Sequence, residues 1–264
     1  MSSPLSTSTG LSRTRELLIG RLRRRKSRER EGLFLAEGVR CSLEVLAAGG
    51  KVRFALCSPR LGTRHDGAEL TARLEQAKIQ TLPVEDRQLG LIADTDAPQG
   101  VLLVCEQSQI ELGALDPTAT SRLLIADAVQ DPGNLGALIR SAAALGLDAV
   151  IALDGCVDPW NPKAVRASAG AVCRLPVVMG RWQETAAWLR RADTPLLVAA
   201  AGGKAPKAVN KSRWALVIGN EGSGPRDAIL QDADTIVTVP LSPRVESLNA
   251  SVAGAILMYA LSSR

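Results

Sequence analysis

Six short apolar runs, separated by helix-like stretches, dominate the second half of the chain and restrict the folds open to it. They read "RLLIADAV" (122–129), "AVIAL" (149–153), "LPVVM" (175–179), "PLLVAAAG" (195–202), "WALVIG" (214–219) and "TIVTVP" (235–240). Runs that are apolar throughout, not at alternate positions, fit strands buried on both faces. Strands of that kind alternating with helices imply a parallel sheet covered by helices. Between the runs, the sequence predicts a helix starting near Asn134, a helical segment in "NPKAVRASAGAV" and a helix over "WQETAAWLRRA". It also predicts a closing helix over "SLNASVAGAILMYALSS". In parallel sheets, ligands sit beyond the carboxyl ends of the strands, where loops run into helices.

The first part of the chain alternates similarly. "SLEVLAAGG" and "GAELTARLEQAKI" read as helices, and "VRFALCS" and "GVLLVCEQ" as strands. Residues 108–120, "SQIELGALDPTAT", are turn-rich and lack sustained periodicity, so they are expected to link two domains spanning 1–107 and 121–264. The fold class expected is therefore α/β, a parallel-sheet domain preceded by a smaller α/β domain. A chain of 264 residues is long enough for both.

Composition excludes several chemistries. Five cysteines without C-x-x-C spacing argue against a disulfide framework or a zinc site, and for a reducing cytoplasm. The single histidine, His65, lies in the turn-like "GTRHDG" and is expected to be solvated, which leaves no Ser-His-Asp triad. No apolar run reaches the roughly 18 residues needed to span a bilayer. The opening "MSSPLSTSTGLSRTREL" lacks the apolar core of a secretory signal; its Ser/Thr- and Arg-rich character leaves a transit peptide as the minor reading. Residues 11–30 carry nine Lys/Arg against two Glu, a local charge of +7, whereas the other residues hold 23 basic and 25 acidic side chains. A short basic segment on a near-neutral body suits a polyanion such as nucleic acid, the alternative being a solvated helix face. With 3% aromatic residues, phosphate contacts are expected to outweigh base stacking.

Three loops stand out. In "DPGNLGALIRSAAALG" (131–146), Asn134 is the expected N-cap, with free N–H groups there suited to an anion. Leu135, Leu138, Ile139, Ala142 and Ala143 follow a helical core stripe. The adjacent face, Ala137, Arg140, Ser141 and Ala144, is small apart from its guanidinium, as if something packs close. In "VIGNEGSGP" (217–225), three glycines within six residues allow close backbone approach, and Glu221 places a carboxylate in the turn. In "VPLSPRVESLNASVAG" (239–254), a strand is expected to end at Pro240 and a helix to contain Ser247 and Asn249 in its first turn. Each loop has a bland reading as a cap or a connection. Their joint position at corresponding strand ends is what those readings leave unexplained.

In this order and spacing, "DPGNLGALIR", "IGNEGSGP" and "VPLSPRVESLNASVA" resemble the three motifs of the SpoU family, RNA ribose 2′-O-methyltransferases of the SPOUT superfamily. "DPWNPKAVRASAGAV" also reads like that family, and "RRRKSREREGLFLAEGVRCSLEVLAAG" resembles its N-terminal substrate-binding domain. The resemblance implies S-adenosylmethionine as cofactor, an RNA substrate (ribosomal or transfer), a C-terminal trefoil knot and a homodimer through the knotted domain, without membrane or metal. By motif position it implies that Gly219, Val239 and Leu248 hold the cofactor, and that Asn134, Arg140, Glu221, Ser247 and Asn249 form the catalytic site. Arg140 then either activates the 2′-hydroxyl or stabilises charge developing on it. A catalytically inactive RNA-binding module of the same fold is the alternative. A nucleotide-binding oxidoreductase is disfavoured by the missing G-x-G-x-x-G.

Overall fold

The computed structural model describes residues 11–206 and 212–262. The first ten residues, on which the leader reading partly rests, lie outside them. The chain divides after Gln107 into two compact units.

The first unit runs α1 (Arg13–Leu22), α2 (Arg25–Glu31), β1 (Leu33–Glu37), α3 (Val39–Ala47), β2 (Val52–Cys57), α4 (Pro59–Gly62), α5 (Gly67–Gln76), β3 (Thr81–Pro83), α6 (Asp86–Ile92) and β4 (Val101–Glu106). Its sheet has the order β1-β4-β2-β3; β4 is antiparallel to both neighbours, and β3 is parallel to β2. Ile19 and Leu22 of α1 pack with Leu35, Leu56, Leu102 and Val104 into one core.

The second unit contains β5 (Arg122–Ala126), α7 (Pro132–Ala144), β6 (Ala149–Leu153), α8 (Pro162–Ala167), β7 (Val177–Gly180), α9 (Trp182–Arg191), β8 (Leu196–Lys204), β9 (Trp214–Ile218), α10 (Asp227–Gln231), β10 (Thr235–Val237) and α11 (Ala250–Ser262). All six strands are parallel, in the order β10-β8-β9-β5-β6-β7. Every residue of β6 and β9 is buried, which accounts for their uninterrupted apolar composition. Although β5 and β9 are far apart in sequence, they are neighbours, and Ala126 pairs with Ile218. The loops leaving these two strands therefore start side by side.

Several sequence expectations need correction. Leu115, within the expected linker, is buried in the core of the second unit, and Trp188 Nε1 donates to its carbonyl. The cap of α7 is Asp131, whose carboxylate accepts from the Asn134 N–H at 2.9 Å; Asn134 itself lies inside the first turn. Pro132 at the first helical position explains this, because its fixed φ and missing N–H suit the residue just after a cap. The segment over 162–173 splits into α8 and a 3₁₀ turn where Ala169 and Gly170 adopt positive φ. The last strand stops at Val237, not Pro240. The closing helix starts at Ala250, leaving Ser247 and Asn249 ahead of it.

Gly136 sets how closely α8 approaches α7. A Cβ there would collide with the Ala164 carbonyl oxygen and lie 2.7 Å from the Ala167 Cβ, with the Ser168 backbone nitrogen also in the way. Backbone cannot step aside as a flexible side chain can. Gly136→Ala should therefore cost about 1–3 kcal/mol through overpacking, although alanine is the better helix former by about 1 kcal/mol. Urea unfolding checks this: a lower midpoint is expected, and an unchanged or raised one would contradict the packing argument.

Candidate active site

The three loops beyond β5, β9 and β10 meet through one polar chain. Asn249 Nδ2 donates to Asn134 Oδ1 at 2.9 Å, and Asn134 Nδ2 donates to Glu221 Oε1 at 3.0 Å. Glu221 also accepts from the N–H groups of Gln130 (3.3 Å) and Asp131 (3.2 Å). Asn134 thus holds one residue from each of the other two loops, across sequence separations of 87 and 115 residues. The Asn249 side-chain oxygen also accepts from the N–H groups of Ser251 and Val252, so Asn249 caps α11 instead of lying in its first turn. The anion expected at the start of α7 is supplied by the protein itself, as Asp131 and Glu221.

Burial would raise the Glu221 pKa. Hydrogen bonds from Asn134 and from the backbone of Glu221, Gln130 and Asp131 outweigh that effect and hold the carboxyl below its ordinary value. The same contacts tie the glycine-rich loop to the start of α7.

The glycine-rich loop is shaped by its own contacts. Asn220 and Gly224 exchange backbone hydrogen bonds at 3.2 and 3.0 Å. The Asn220 side-chain oxygen accepts from the Gly222 and Ser223 N–H groups, and its amide nitrogen donates to the Ala128 carbonyl at 2.8 Å. A Cβ at Gly219 would overlap the backbone of Gly224 and Pro225, so only glycine fits there. Ala128, opposite, holds a φ of 53°, a left-handed conformation costly for alanine.

Behind this loop is a cavity of about 260 Å³. Five of the residues expected from the sequence line it: Gly219, Glu221, Val239, Ser247 and Leu248. Asn134 and Asn249 adjoin it through the polar chain. Arg140 is not brought to its wall: it is exposed on α7 and has no side-chain hydrogen bond or ion pair among the described residues. The sequence reading missed the apolar wall from β8 (Ala199 and Ala201), as well as Thr238 and Leu241. Small alanines in a strand carry no signal until the neighbouring loops are placed. Burial pushes the thiols of Cys57 and Cys156 up to about 11 and that of Cys173 to about 12, so none of these is a ready nucleophile.

In the first unit, the basic segment divides into committed and uncommitted charges. Arg28 is buried and donates to the Leu22 and Arg23 carbonyls, each at 2.9 Å. Arg23 donates to the Ala93 carbonyl, and Arg15 reaches Gln80 while lying over the Phe54 ring. Arg25 and Arg30 pair with Glu29 and Glu31. Arg13, Arg21, Arg24 and Lys26 are exposed with no such side-chain partner among the described residues. His65 is 93% exposed, as expected of a solvated side chain.

Comparison with known proteins agrees with this geometry. Residues 121–259 match the SpoU rRNA Methylase family, and residues 18–103 match the MRM3-like substrate binding domain. The chain belongs to the SpoU rRNA methylase family. It is 34% identical over 244 residues to the 23S rRNA (guanosine(2553)-2′-O)-methyltransferase RlmP of Bacillus subtilis, covering 91% of this chain and 93% of that protein. The crystal structure of an AdoMet-bound rRNA methyltransferase from Sinorhizobium meliloti superposes with a TM-score of 0.83 at 26% identity, covering 97% and 96% of the two chains. The SpoU methyltransferase AviRb from Streptomyces viridochromogenes, in complex with AdoMet, gives a TM-score of 0.81 at 27% identity, covering 94% and 97%.

The Glu221 linkage has a pH signature. Because the folded carboxyl is more acidic than the unfolded one, its stabilisation is complete above the unfolded glutamate range, about pH 4.3, and is lost as pH falls through the folded value. Wild type should melt above Glu221→Gln at about pH 6, with the gap closing as the pH is lowered below the ordinary glutamate range. A gap that stays constant as the pH is lowered would contradict the assignment.

Proposed function

We propose that this chain transfers a methyl group from S-adenosylmethionine to a ribose 2′-hydroxyl of RNA, with ribosomal RNA as the substrate class. The observation that carries this reading is the Asn249–Asn134–Glu221 chain, which ties the three motif loops together beside one cavity. The cavity suits the cofactor: Ile218, Val237 and Leu257 offer apolar surface, and Gly219, Val239 and Leu248 line it as well. When bound, the cofactor supplies an electrophilic methyl on a sulfonium, whose departure as a neutral thioether requires no proton.

The task left to the protein is the 2′-hydroxyl, a poor nucleophile while protonated. Arg140 is the residue we assign to it. Its guanidinium stays protonated at ordinary pH and makes a poor base, which favours binding of the adjacent phosphate and stabilisation of charge developing on the 2′-oxygen. Proton removal by a transiently neutral Arg140 is the competing version. Ser247 and Asn249 border the same space, and Glu221 holds the loops around it. Arg13, Arg21, Arg24 and Lys26 are available to RNA phosphates.

The same reading includes a homodimer built through the second unit. Helix α11 has no charged residue, and Val252, Ile256 and Tyr259 leave an apolar stripe 47, 40 and 63% exposed on it. It also includes the trefoil knot, with 238–249 and α11 as the threaded part; that segment lines the cavity and leads into a helix packed on α7. A cytoplasmic location agrees with five free cysteines and with the lack, among the described residues, of a helix long and apolar enough to cross a membrane.

Two tests follow. Arg140→Ala should reduce methyl transfer to unmodified ribosomal RNA by at least about a hundredfold, as loss of an oxyanion donor does, with cofactor affinity retained. Arg140→Lys should be severely impaired because it loses the planar fork. Near-wild-type turnover in Arg140→Ala would overturn either role. Separately, Ile256→Asp with Tyr259→Asp should shift sedimentation from dimer to monomer; an unchanged profile would overturn the α11 interface.

A further inference from the structure

Arg226 immediately follows the cavity-lining Pro225 but lies outside the cavity itself. Its backbone N–H donates to Asp127 Oδ2 at 2.8 Å and its Nε to Asp127 Oδ1 at 2.6 Å. The two terminal nitrogens reach the Asp154 carboxylate at 3.1 and 3.4 Å. Asp127 is fully buried directly after β5, and its own N–H donates to the Ile218 carbonyl at the end of β9. Asp154 follows β6 and is mostly exposed. One guanidinium therefore straps the carboxyl ends of β5 and β6 to the far end of the glycine-rich loop.

We propose that Arg226, through Asp127, is the positioning residue that holds the 219–225 loop in its cofactor-binding shape. This rests on the reading of the cavity as the S-adenosylmethionine site. The loop's near end is fixed by β9 and by Asn220 on the Ala128 carbonyl, and the Asn220–Gly224 backbone pair closes it. Its far end has no strand to continue it and is held by Arg226, where α10 begins. The pairing is demanding. A carboxylate with no exposed surface needs donors, and Arg226 supplies both a backbone and a side-chain N–H. Lysine keeps the charge but cannot serve Asp127 and Asp154 together with a planar fork. Loss of the strap frees Gly219, Asn220 and Glu221 at the cavity wall, so the effect should fall on cofactor affinity ahead of chemistry.

The test compares full-length wild type, Arg226→Gln, Arg226→Lys and Asp154→Asn. Hydrogen exchange of the 219–225 amides, measured without cofactor, should accelerate in Arg226→Gln while β6 stays protected. Calorimetric affinity for S-adenosylmethionine should fall by roughly tenfold or more, as misplaced binding groups commonly cause. The loss in kcat at saturating cofactor should be smaller than the loss in affinity. Arg226→Lys should recover part of the affinity, and Asp154→Asn should change it little, because Asp154 is exposed. If Arg226→Gln unfolds globally, the Lys variant carries the test through the same exchange and affinity measurements. Unchanged loop exchange, or unchanged affinity in a folded Arg226 variant, would overturn the strap alone. Wild type that fails to bind S-adenosylmethionine would overturn the cofactor reading and this proposal with it, whatever the exchange data show.

Discussion

Parallel pairing of Ala126 with Ile218 governs how the site is assembled. Because β5 and β9 run side by side in the same direction and end level, the loops that follow them emerge together, although about ninety residues separate them in the chain. Asp127 continues the pairing by donating its N–H to Ile218, and its buried carboxylate then takes hold of Arg226. Helix α7, launched from the same loop, receives α8 at Gly136 and α11 at Leu138, where Gly254 allows close approach. The packing that makes the core thus also aims the three loops at one cavity.

Charge in this site is largely committed to architecture. The Asp131 carboxylate caps α7 and pairs with Lys163, Asp127 holds Arg226, and Glu221 receives Asn134 and two backbone N–H groups. Each is a charge-assisted contact, stronger than its neutral counterpart and sharper in geometry. Arg140, by contrast, is exposed and without a side-chain partner among the described residues.

The fold was legible in the sequence wherever burial on both faces forces a continuous apolar run, as in "AVIAL" and "WALVIG". Boundaries were less legible. "DPGN" contains two good caps, and Pro132 decides for Asp131 by its preference for the following position. "SLNAS" offers both Ser247 and Asn249, and the second caps because its side chain reaches the N–H groups of Ser251 and Val252. Glu221 was visible as a carboxylate in a glycine-rich turn, and Asn134 and Asn249 as helix-start residues at corresponding strand ends. Their contacts were not, because nothing local relates residues 87 and 115 positions apart. Asp127 and Arg226 escaped notice for the same reason: each looks ordinary in its own segment, and only the sheet register brings them together. Five guanidinium groups in the basic segment are likewise taken up by neighbours, which a charge count cannot reveal.

The central claim is that the methyl group reaches a ribose oxygen and not a base. The direct measurement incubates the wild-type protein with radiolabelled S-adenosylmethionine and unmodified ribosomal RNA, then hydrolyses the RNA with alkali. A methyl on the 2′-oxygen blocks attack on the adjacent phosphate, so the account predicts label in an alkali-resistant dinucleotide. Label released in a mononucleotide would place the methyl elsewhere and contradict it.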